Sequence, residues 1–409
     1  VQTCALPISN DKLANNVKYT GQNTIAISPI FKYITTYKVD ENNNNGYFHF
    51  DVYGGGSSAH SYRSFNPAVL PTAVNTNTGA YTTQLQTFEY AYQHSTFFMN
   101  MPSSERKAMI YANKYAQAGV NDVGVNNVLN SDRVVSDIGA PRVFSPLMTQ
   151  DESAGYWFKP YASFERVPLR HGPKVDSISY GTLIGFDTKM KSLRHGWERV
   201  MTYYIGYNGS SQDYLGIDTY NNGGLGGATL TLYKGNFFNA TTISAGATVG
   251  ESSTMYGHEN FTSFLCGIGN RTGYNIEFKE GRFIIQPALT LSYSFINTFD
   301  YTNAAGVKIE SDPMSTIQIA PGVKFIGNTK RGWQPYIGVQ MVWNILAHSG
   351  VTANGVELPE MSIKPYIQYG LGLQRRFGDR FVAYGQAMVQ NGGRNGVSLS
   401  FGARWALGK

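Results

Sequence analysis

The residues that could do chemistry in this chain are widely separated. The seven histidines run from His49 to His348 and include no His-x-x-x-His pair, the spacing that places two metal ligands on one helix face. No Gly-x-Ser-x-Gly elbow occurs, and "GGGSSAH" has a hinge-like composition rather than a strand-turn-helix context. "GGLGGATL" precedes a strand, so it cannot form a phosphate-binding helix start. We therefore predict no catalytic residue, no cofactor and no metal site, and a protein that is not an enzyme.

Three charged residues in strand-like segments remain as candidates for a polar interior: Glu165, Asp187 and Arg199. Successive side chains of a strand point to opposite faces, so charges on one face can be gathered on a shared polar side. We expect these three to face such an interior and to pair with one another. The favoured interpretation is that these charged residues contribute to hydration and packing of the interior. The alternative is that they bind a segment of the chain inside it.

The composition indicates what kind of strands position these charges. The 409 residues include 45 Gly, 28 Tyr and 23 Phe, only 15% are charged, and the mean hydropathy is -0.26. No run of eighteen apolar residues occurs, which excludes a helical membrane span in the sequence. Many aromatics with few charges and no apolar run are typical of a transmembrane β-barrel, whose apolar residues fall at every second position.

The distribution of charge argues against a nucleic-acid-binding protein, and the cysteine content argues against a disulfide-stabilised or metal-binding one. The net charge of +6 gives a pI near 9.0, but the basic residues are scattered among turns, without the clustered basic helix of a nucleic-acid-binding protein. Cys266 lies alone in a strand-like run, so it predicts neither an intramolecular disulfide nor a metal site. We expect no nucleic-acid partner.

Four regions along the chain differ in composition and in the pattern of apolar residues. Residues 1–9, "VQTCALPIS", back-translate to the end of a common sequencing adapter, and we interpret them as an artefact that carries Cys4. Residues 10–53 alternate as strand, turn and strand, which is typical of the end of a stacked β-structure. Residues 54–155 contain a hinge, amphipathic helical segments and a polar linker or plug. Residues 156–409 read as strands throughout.

The middle region offers two candidates for a segment inside a barrel. In one, Tyr81, Leu85, Phe88, Tyr92 and Met99 have helical spacing, and Pro102 ends the pattern. This helix would stand in the lumen or pack outside it. The other, "NVLNSDRVVSDIG", lies just before Tyr156 and is the more direct candidate for a plug.

The last region predicts an all-β fold, an antiparallel up-and-down transmembrane barrel of about twelve strands. Short breaks such as "YKGNF" and "RFGDR" alternate with longer polar segments, which we expect to be loops. These segments include "NGSSQDYLGIDTYNNGG", "ESSTMYGHEN" and "AHSGVTANGVELPE". The final strand, "NGVSLSFGARW", shows an apolar face for lipid and a polar face for the lumen. Closure follows because an open sheet edge in hydrocarbon would leave backbone groups unpaired.

This region resembles the autotransporter translocator barrel of type V secretion. The similarity rests on "YGTLIGFDTKM", "YYIGYNGSSQDY", "GWQPYIGVQMVWN" and "IKPYIQYGLGLQRRFGDRFVAYGQAMV", in this order over about 250 residues, and on the closing "GVSLSFGARW". The resemblance implies an outer-membrane translocator that exports and displays an N-terminal passenger on the surface of a Gram-negative cell. It implies as partners the membrane lipid, the β-barrel assembly machinery and the protein's own passenger, and we expect a monomer.

The resemblance also implies an assembly signal in the closing strand, which Phe401 and Trp405 fit, although "ALGK" follows the last aromatic residue. Two alternatives remain open from the sequence. One is an outer-membrane channel or adhesin barrel, and the other is a barrel hydrolase, which would need a Ser/His or Asp/His constellation at one rim.

Overall fold

The structure is a computed structural model. It describes residues 24–40, 45–53, 62–66, 68–107, 153–169, 173–279, 281–329, 332–348, 350–359, 363–377 and 380–407. A small sheet, a long helix and a barrel follow one another along this part of the chain.

The small sheet contains β1 (Thr24–Ile27), β2 (Lys32–Asp40) and β3 (Asn45–Val52), antiparallel and in that order. Apolar residues at alternate positions of "NTIAISPIFKYITTYKV" favour these strands. The ring of Phe31 stacks on that of Phe65 at a centroid distance of 5.3 Å, so the sheet packs on the chain that leads to the helix.

The helix, α1 (Leu70–Met99), has 30 residues and is therefore about 45 Å long. It begins well before the predicted stripe because Pro71 lies in its first turn, where a missing N–H is not needed. It ends before Pro102, as predicted, and a further helical turn spans residues 103–107. The second plug candidate, "NVLNSDRVVSDIG", lies outside the described residues. None of the helices in the described ranges has the length and apolar character needed to cross a membrane.

The barrel is a closed ring of twelve long antiparallel strands within the described residues, which confirms the predicted fold class. Each strand pairs with its neighbour in sequence, and the first strand pairs with the last. The twelve are β4 (Gly155–Pro168), β5 (Lys174–Asp187), β7 (Glu198–Tyr214), β8 (Ile217–Lys234), β9 (Phe237–Thr254), β10 (Gly257–Tyr274), β12 (Phe283–Thr298), β15 (Met314–Gly327), β16 (Trp333–His348), β19 (Tyr366–Phe377), β20 (Phe381–Gly392) and β21 (Asn395–Ala406).

Six short strands complete the described sheet structure: β6 (Lys191–Ser192), β11 (Ile276–Phe278), β13 (Tyr301–Thr302), β14 (Lys308–Ser311), β17 (Val351–Ala353) and β18 (Val356–Glu357). The connections between β12 and β15 and between β16 and β19 pair with each other as a four-stranded sheet, β13-β14-β17-β18. We call the end of the barrel that holds Gly155 and Ala406 the terminal rim, and the opposite end the distal rim. The four-stranded sheet lies at the distal rim.

The two faces of the barrel strands follow the alternation read from the sequence. In β21, Val397, Leu399, Phe401 and Trp405 are exposed on the outer face, whereas Ser398, Ser400 and Arg404 are buried on the inner face. Other outward residues include Tyr203, Ile205 and Tyr207 of β7. The outer face is therefore apolar and aromatic, as contact with lipid requires, and the inner face is polar.

Two segments predicted as long loops are strands instead. The polar "NGSSQDYLGIDTYNNGG" continues β7 and β8, which have 17 and 18 residues and meet at a two-residue turn. Leu215 and Gly216 have φ of 56° and 80°, as a tight hairpin turn requires, and Asp213 accepts the Gly216 N–H at 3.0 Å. The sequence "ESSTMYGHEN" likewise extends β9 and β10. The polar composition suggested loops, but polar residues such as Gln212 and Thr219 are buried on the inner face of these strand ends, where Asn75 of the long helix contacts them.

Candidate translocation pore

Helix α1 stands inside the barrel and runs from the distal rim to the terminal rim. It packs against β5, β7, β8, β9, β10 and β12. Near its start, the Asn75 amide donates to the carbonyl oxygens of Gln212 and Ile217, at 3.2 and 2.8 Å, beside the β7–β8 turn. At its end, Met99 O accepts hydrogen bonds from the side chains of Asn275 and Gln286, which satisfy a helix-terminal carbonyl.

The helix is polar on most of its surface, although nearly all of its described side chains are buried. Gln84 Nε2 donates to Ser244 Oγ at 2.8 Å, and Tyr81 OH donates to Asn344 Oδ1 at 2.5 Å. Gln368 Nε2 donates to Glu89 Oε1 at 2.7 Å. The predicted apolar stripe is present, but the faces between its members are buried as well, because a polar lumen wall surrounds the helix.

The wall approaches the helix closely at glycine positions. A Cβ on Gly267 of β10 would lie 2.8 Å from Gln84 Nε2 and from Phe88 Cζ. A Cβ on Gly79 of α1 would lie 2.6 Å from Gln212 Oε1. Both distances are too short for a real side chain, so these two residues allow the helix and the wall to meet. The lumen is therefore shaped around this helix.

A buried ionic cluster ties the helix to the wall near the terminal rim. His94 Nε2 lies 2.9 Å from Asp187 Oδ2, and the imidazole stacks on Trp157 at a centroid distance of 4.0 Å. Arg404 Nε donates to the same Asp187 oxygen at 3.0 Å, and Thr202 Oγ1 donates to Oδ1 at 2.8 Å. The side chains of His94, Asp187 and Arg404 are at most 1% exposed. One carboxylate thus joins α1, β5, β7 and β21.

A second buried ion pair lies near the distal rim. Arg394 Nε donates to Glu165 Oε2 at 2.6 Å, and both side chains are less than 5% exposed. Glu165 belongs to β4 and Arg394 to the turn between β20 and β21, so this pair closes the seam between the first and last strands. At the terminal rim, Arg404 of β21 pairs with Asp187 of β5. Buried ion pairs therefore stabilise the last strand against the start of the barrel at both rims.

An apolar cluster covers the distal end of the lumen. Phe65, Val69 and Leu70, which precede and begin α1, pack in one buried group with residues of the β12–β15 and β16–β19 connections. Those partners include Val307, Ile309, Val351 and Ile363. Asn66 Nδ2 donates to Ser28 O at 2.8 Å and to Tyr256 OH at 3.0 Å, linking β1–β3 to the barrel wall.

Comparison with known proteins identifies the family. The autotransporter β-domain family profile matches residues 156–388, which is more than half of the chain. The chain belongs to the autotransporter β-domain family. It is therefore an outer-membrane translocator for a passenger, located in the outer membrane.

Solved autotransporter structures share the fold. The transport unit of AIDA-I from Escherichia coli is 13% identical, with a TM-score of 0.55, and the match covers 75% of this chain and 100% of that one. The translocator domain of NalP from Neisseria meningitidis is 13% identical, with a TM-score of 0.52, over 73% and 99% of the two chains. No curated protein matches the sequence.

The autotransporter barrel does not bring the three sequence-predicted charges together. Glu165 and Asp187 are both buried in the lumen, but at opposite rims, and each pairs with an arginine instead of with the other. Arg199 lies half-buried on the outer face of β7, opposite Leu232, and does not join either cluster. Phe401 and Trp405 are exposed on the outer face of β21, 62% and 49%, and their role in assembly stays a prediction.

The sequence reasoning missed the partners of these carboxylates. Arg404 shares the polar face of the closing strand with Ser398 and Ser400, so alternation alone places it in the lumen. Arg394 lies in a turn, and His94 lies on a helix with no charged neighbour in its last turn. Neither residue carries a local signal, because each is recruited by a carboxylate far away in the sequence.

Proposed function

We propose that this barrel exports an N-terminal passenger and displays it on the cell surface, with the terminal rim facing the periplasm. Residues 10–53 are then the end of the passenger, residues 54–155 are the hinge, lumen helix and linker, and residues 156–409 are the translocator. We propose that residues 1–9 are foreign to the protein.

The observation that carries this proposal is the direction of α1. Its N-terminal end is continuous with β1–β3 at the distal rim, and its C-terminal end lies at the terminal rim, on the side where β4 begins. A chain that enters the barrel from outside and returns to the first strand from the periplasm is what remains after a passenger has crossed. A channel would gain nothing from a long helix in its lumen, so the channel alternative is weaker.

We further propose that the protein acts as a monomer, is inserted by the β-barrel assembly machinery through the closing strand, and catalyses no reaction. The autotransporter β-domain is not an enzyme fold. Among the described residues, the Asp187–His94 pair near the terminal rim is buried, and its carboxylate is also bound by Arg404 and Thr202. A Ser/His pair occurs at the distal rim, where Ser253 Oγ lies 2.8 Å from His258 Nδ1. Both residues are exposed, and among the described residues no carboxylate hydrogen bonds to this histidine.

The experiment is a surface-accessibility test of the full chain in a Gram-negative host. An epitope inserted between Val52 and Tyr53, after the last strand of the small sheet, should bind antibody on intact cells. The matched control carries the same epitope between Gly235 and Asn236, in the β8–β9 turn at the terminal rim. That epitope should bind antibody only after the outer membrane is permeabilised. The reverse pattern would refute the proposed orientation and, with it, the display function.

A further inference from the structure

Basic side chains surround the terminal rim on its outer and turn surfaces. We name six of them the basic collar: Lys191, Arg194, Lys234, Arg282, Arg375 and Arg380. Five are exposed and Arg375 is half-buried. They come from the β5–β7, β8–β9, β10–β12 and β19–β20 ends, so they are distributed around the ring instead of forming one patch.

Two members of the collar are held against the aromatic residues of the outer face. Lys234 Nζ lies 5.4 Å from the centroid of the Trp197 ring. Arg375 Cζ lies 4.3 Å from the centroid of Trp333 and 4.4 Å from that of Phe377. Tryptophan rings on a membrane barrel sit at the level of the lipid headgroups. These contacts therefore keep the cations at the height of the lipid phosphates.

The collar is not a consequence of general basicity, because exposed carboxylates outnumber exposed basic residues among the described residues of the distal rim. Its exposed carboxylates include Asp213, Asp218, Glu251 and Asp312. Among the described residues of the terminal rim, the carboxylates are engaged by other groups. Glu105 lies 3.0 Å from Arg376 and Asp187 lies 3.0 Å from Arg404. Glu198 lies 3.4 Å from Arg106, and Glu277 accepts the Ser103 N–H at 2.8 Å.

We propose that the basic collar binds the phosphate groups of anionic phospholipids in the leaflet at the terminal rim. The charge of the collar and its height beside tryptophan rings match an anionic headgroup such as phosphatidylglycerol. The acidic distal rim would repel the same headgroup. The collar thus sets the depth of the barrel and favours one orientation of insertion, a role separate from passenger export.

The test measures which lipid contacts the barrel. The full chain is reconstituted into phosphatidylcholine vesicles that contain brominated phosphatidylglycerol or, separately, brominated phosphatidylcholine, and tryptophan quenching gives the ratio of the two association constants. Trp197 and Trp333 lie beside collar cations, so they report on the correct rim. We expect a preference for phosphatidylglycerol of about fivefold for each cation within reach of one phosphate. It should fall towards one at 1 M salt, where charges are screened within about 3 Å.

Two variants separate the collar from nonspecific charge. Glutamine at all six collar positions should abolish the preference. The control variant carries glutamine at four distal basic residues, Arg166, Lys174, Lys308 and Lys364, and should keep it. A ratio near one for the unchanged chain, or an unchanged ratio in the collar variant, would overturn the proposal. Heat-modifiable migration in gels shows whether the collar variant folds. If it does not fold, the K234Q and R375Q single variants and the salt dependence of the unchanged chain test the proposal instead: the preference for phosphatidylglycerol should decrease in each case.

Discussion

The carboxylate of Asp187 offers the sharpest test of what holds the lumen helix in place. It accepts hydrogen bonds from Arg404 at 3.0 Å and Thr202 at 2.8 Å, and it lies 2.9 Å from His94. In Asp187→Asn, the Arg404 guanidinium stays buried, with 0% of its side chain exposed, but it loses its counter-charge. Removing one partner of a buried ion pair typically costs about 3–5 kcal/mol. We expect a loss of this size in the free energy of unfolding.

The assay is urea unfolding of the full chain in phospholipid vesicles, followed by tryptophan fluorescence. Asp176→Asn is the matched control because it removes a carboxylate from the same strand, β5. Asp176 pairs with Arg166 at 2.9 Å, but these side chains are 56% and 68% exposed, so the change should cost at most about 1 kcal/mol. Equal losses in the two variants would refute the argument from burial.

A double-mutant cycle then isolates the pairing itself. Arg404→Gln alone removes the charge and leaves Asp187 with His94 and Thr202. If Asp187 and Arg404 stabilise one another, the double variant should lose less than the sum of the single losses, by about 0.5–3 kcal/mol. Strict additivity would mean that the two residues contribute independently. That result would contradict the argument, which rests on the direct hydrogen bond from Arg404 Nε–H to Asp187.

Three further predictions concern the helix, the seam and assembly. Gly269→Leu should displace α1, because the atoms nearest to a Cβ there belong to Tyr92 and Phe88 of the helix, and planar-bilayer conductance should rise well above that of the unchanged chain. Glu165→Gln leaves Arg394 buried without a carboxylate and should cost about 3–5 kcal/mol in the same urea assay; a loss below 1 kcal/mol would contradict the buried-pair argument. Phe401→Ser with Trp405→Ser should reduce the heat-modifiable, membrane-inserted fraction in cells while refolding into detergent remains normal, whereas loss of both would indicate a folding defect instead of a lost assembly signal.

Strand alternation predicted much of the fold, because each barrel strand has one face towards lipid and one towards the lumen. It placed Phe401 and Trp405 outside and allowed Arg404 to be placed inside. The expectation that a charged residue faces the lumen failed for Arg199, which shares the outer face with Tyr203 and Ile205. It lies near the end of its strand, where a long side chain can reach the aqueous interface. Whether a barrel strand tolerates a charged residue therefore depends on two things: the face on which the residue lies, and its distance from the end of the strand.

The site itself depends on contacts that no local pattern contains. His94 meets Asp187 across 93 positions of sequence and Tyr384 across 290. These distances become short only when the ring is closed. The polar residues of α1 also gave a misleading signal, since threonine, asparagine and glutamine usually indicate solvent. Here they are buried because the lumen wall is polar as well, so a helix in a barrel does not follow the pattern of a helix in a soluble core.

That difference has a consequence for how a passenger can leave. A helix that is polar around most of its circumference is only marginally stable alone in water, because helices in proteins derive most of their stability from packing. The partners of α1 include β5 at one side of the seam and β20 and β21 at the other, through His94 and its cluster. We expect the segment to lack stable helical structure before the closed wall surrounds it. The contacts that hold the helix also fill the lumen, so the pore is blocked while the helix is in place.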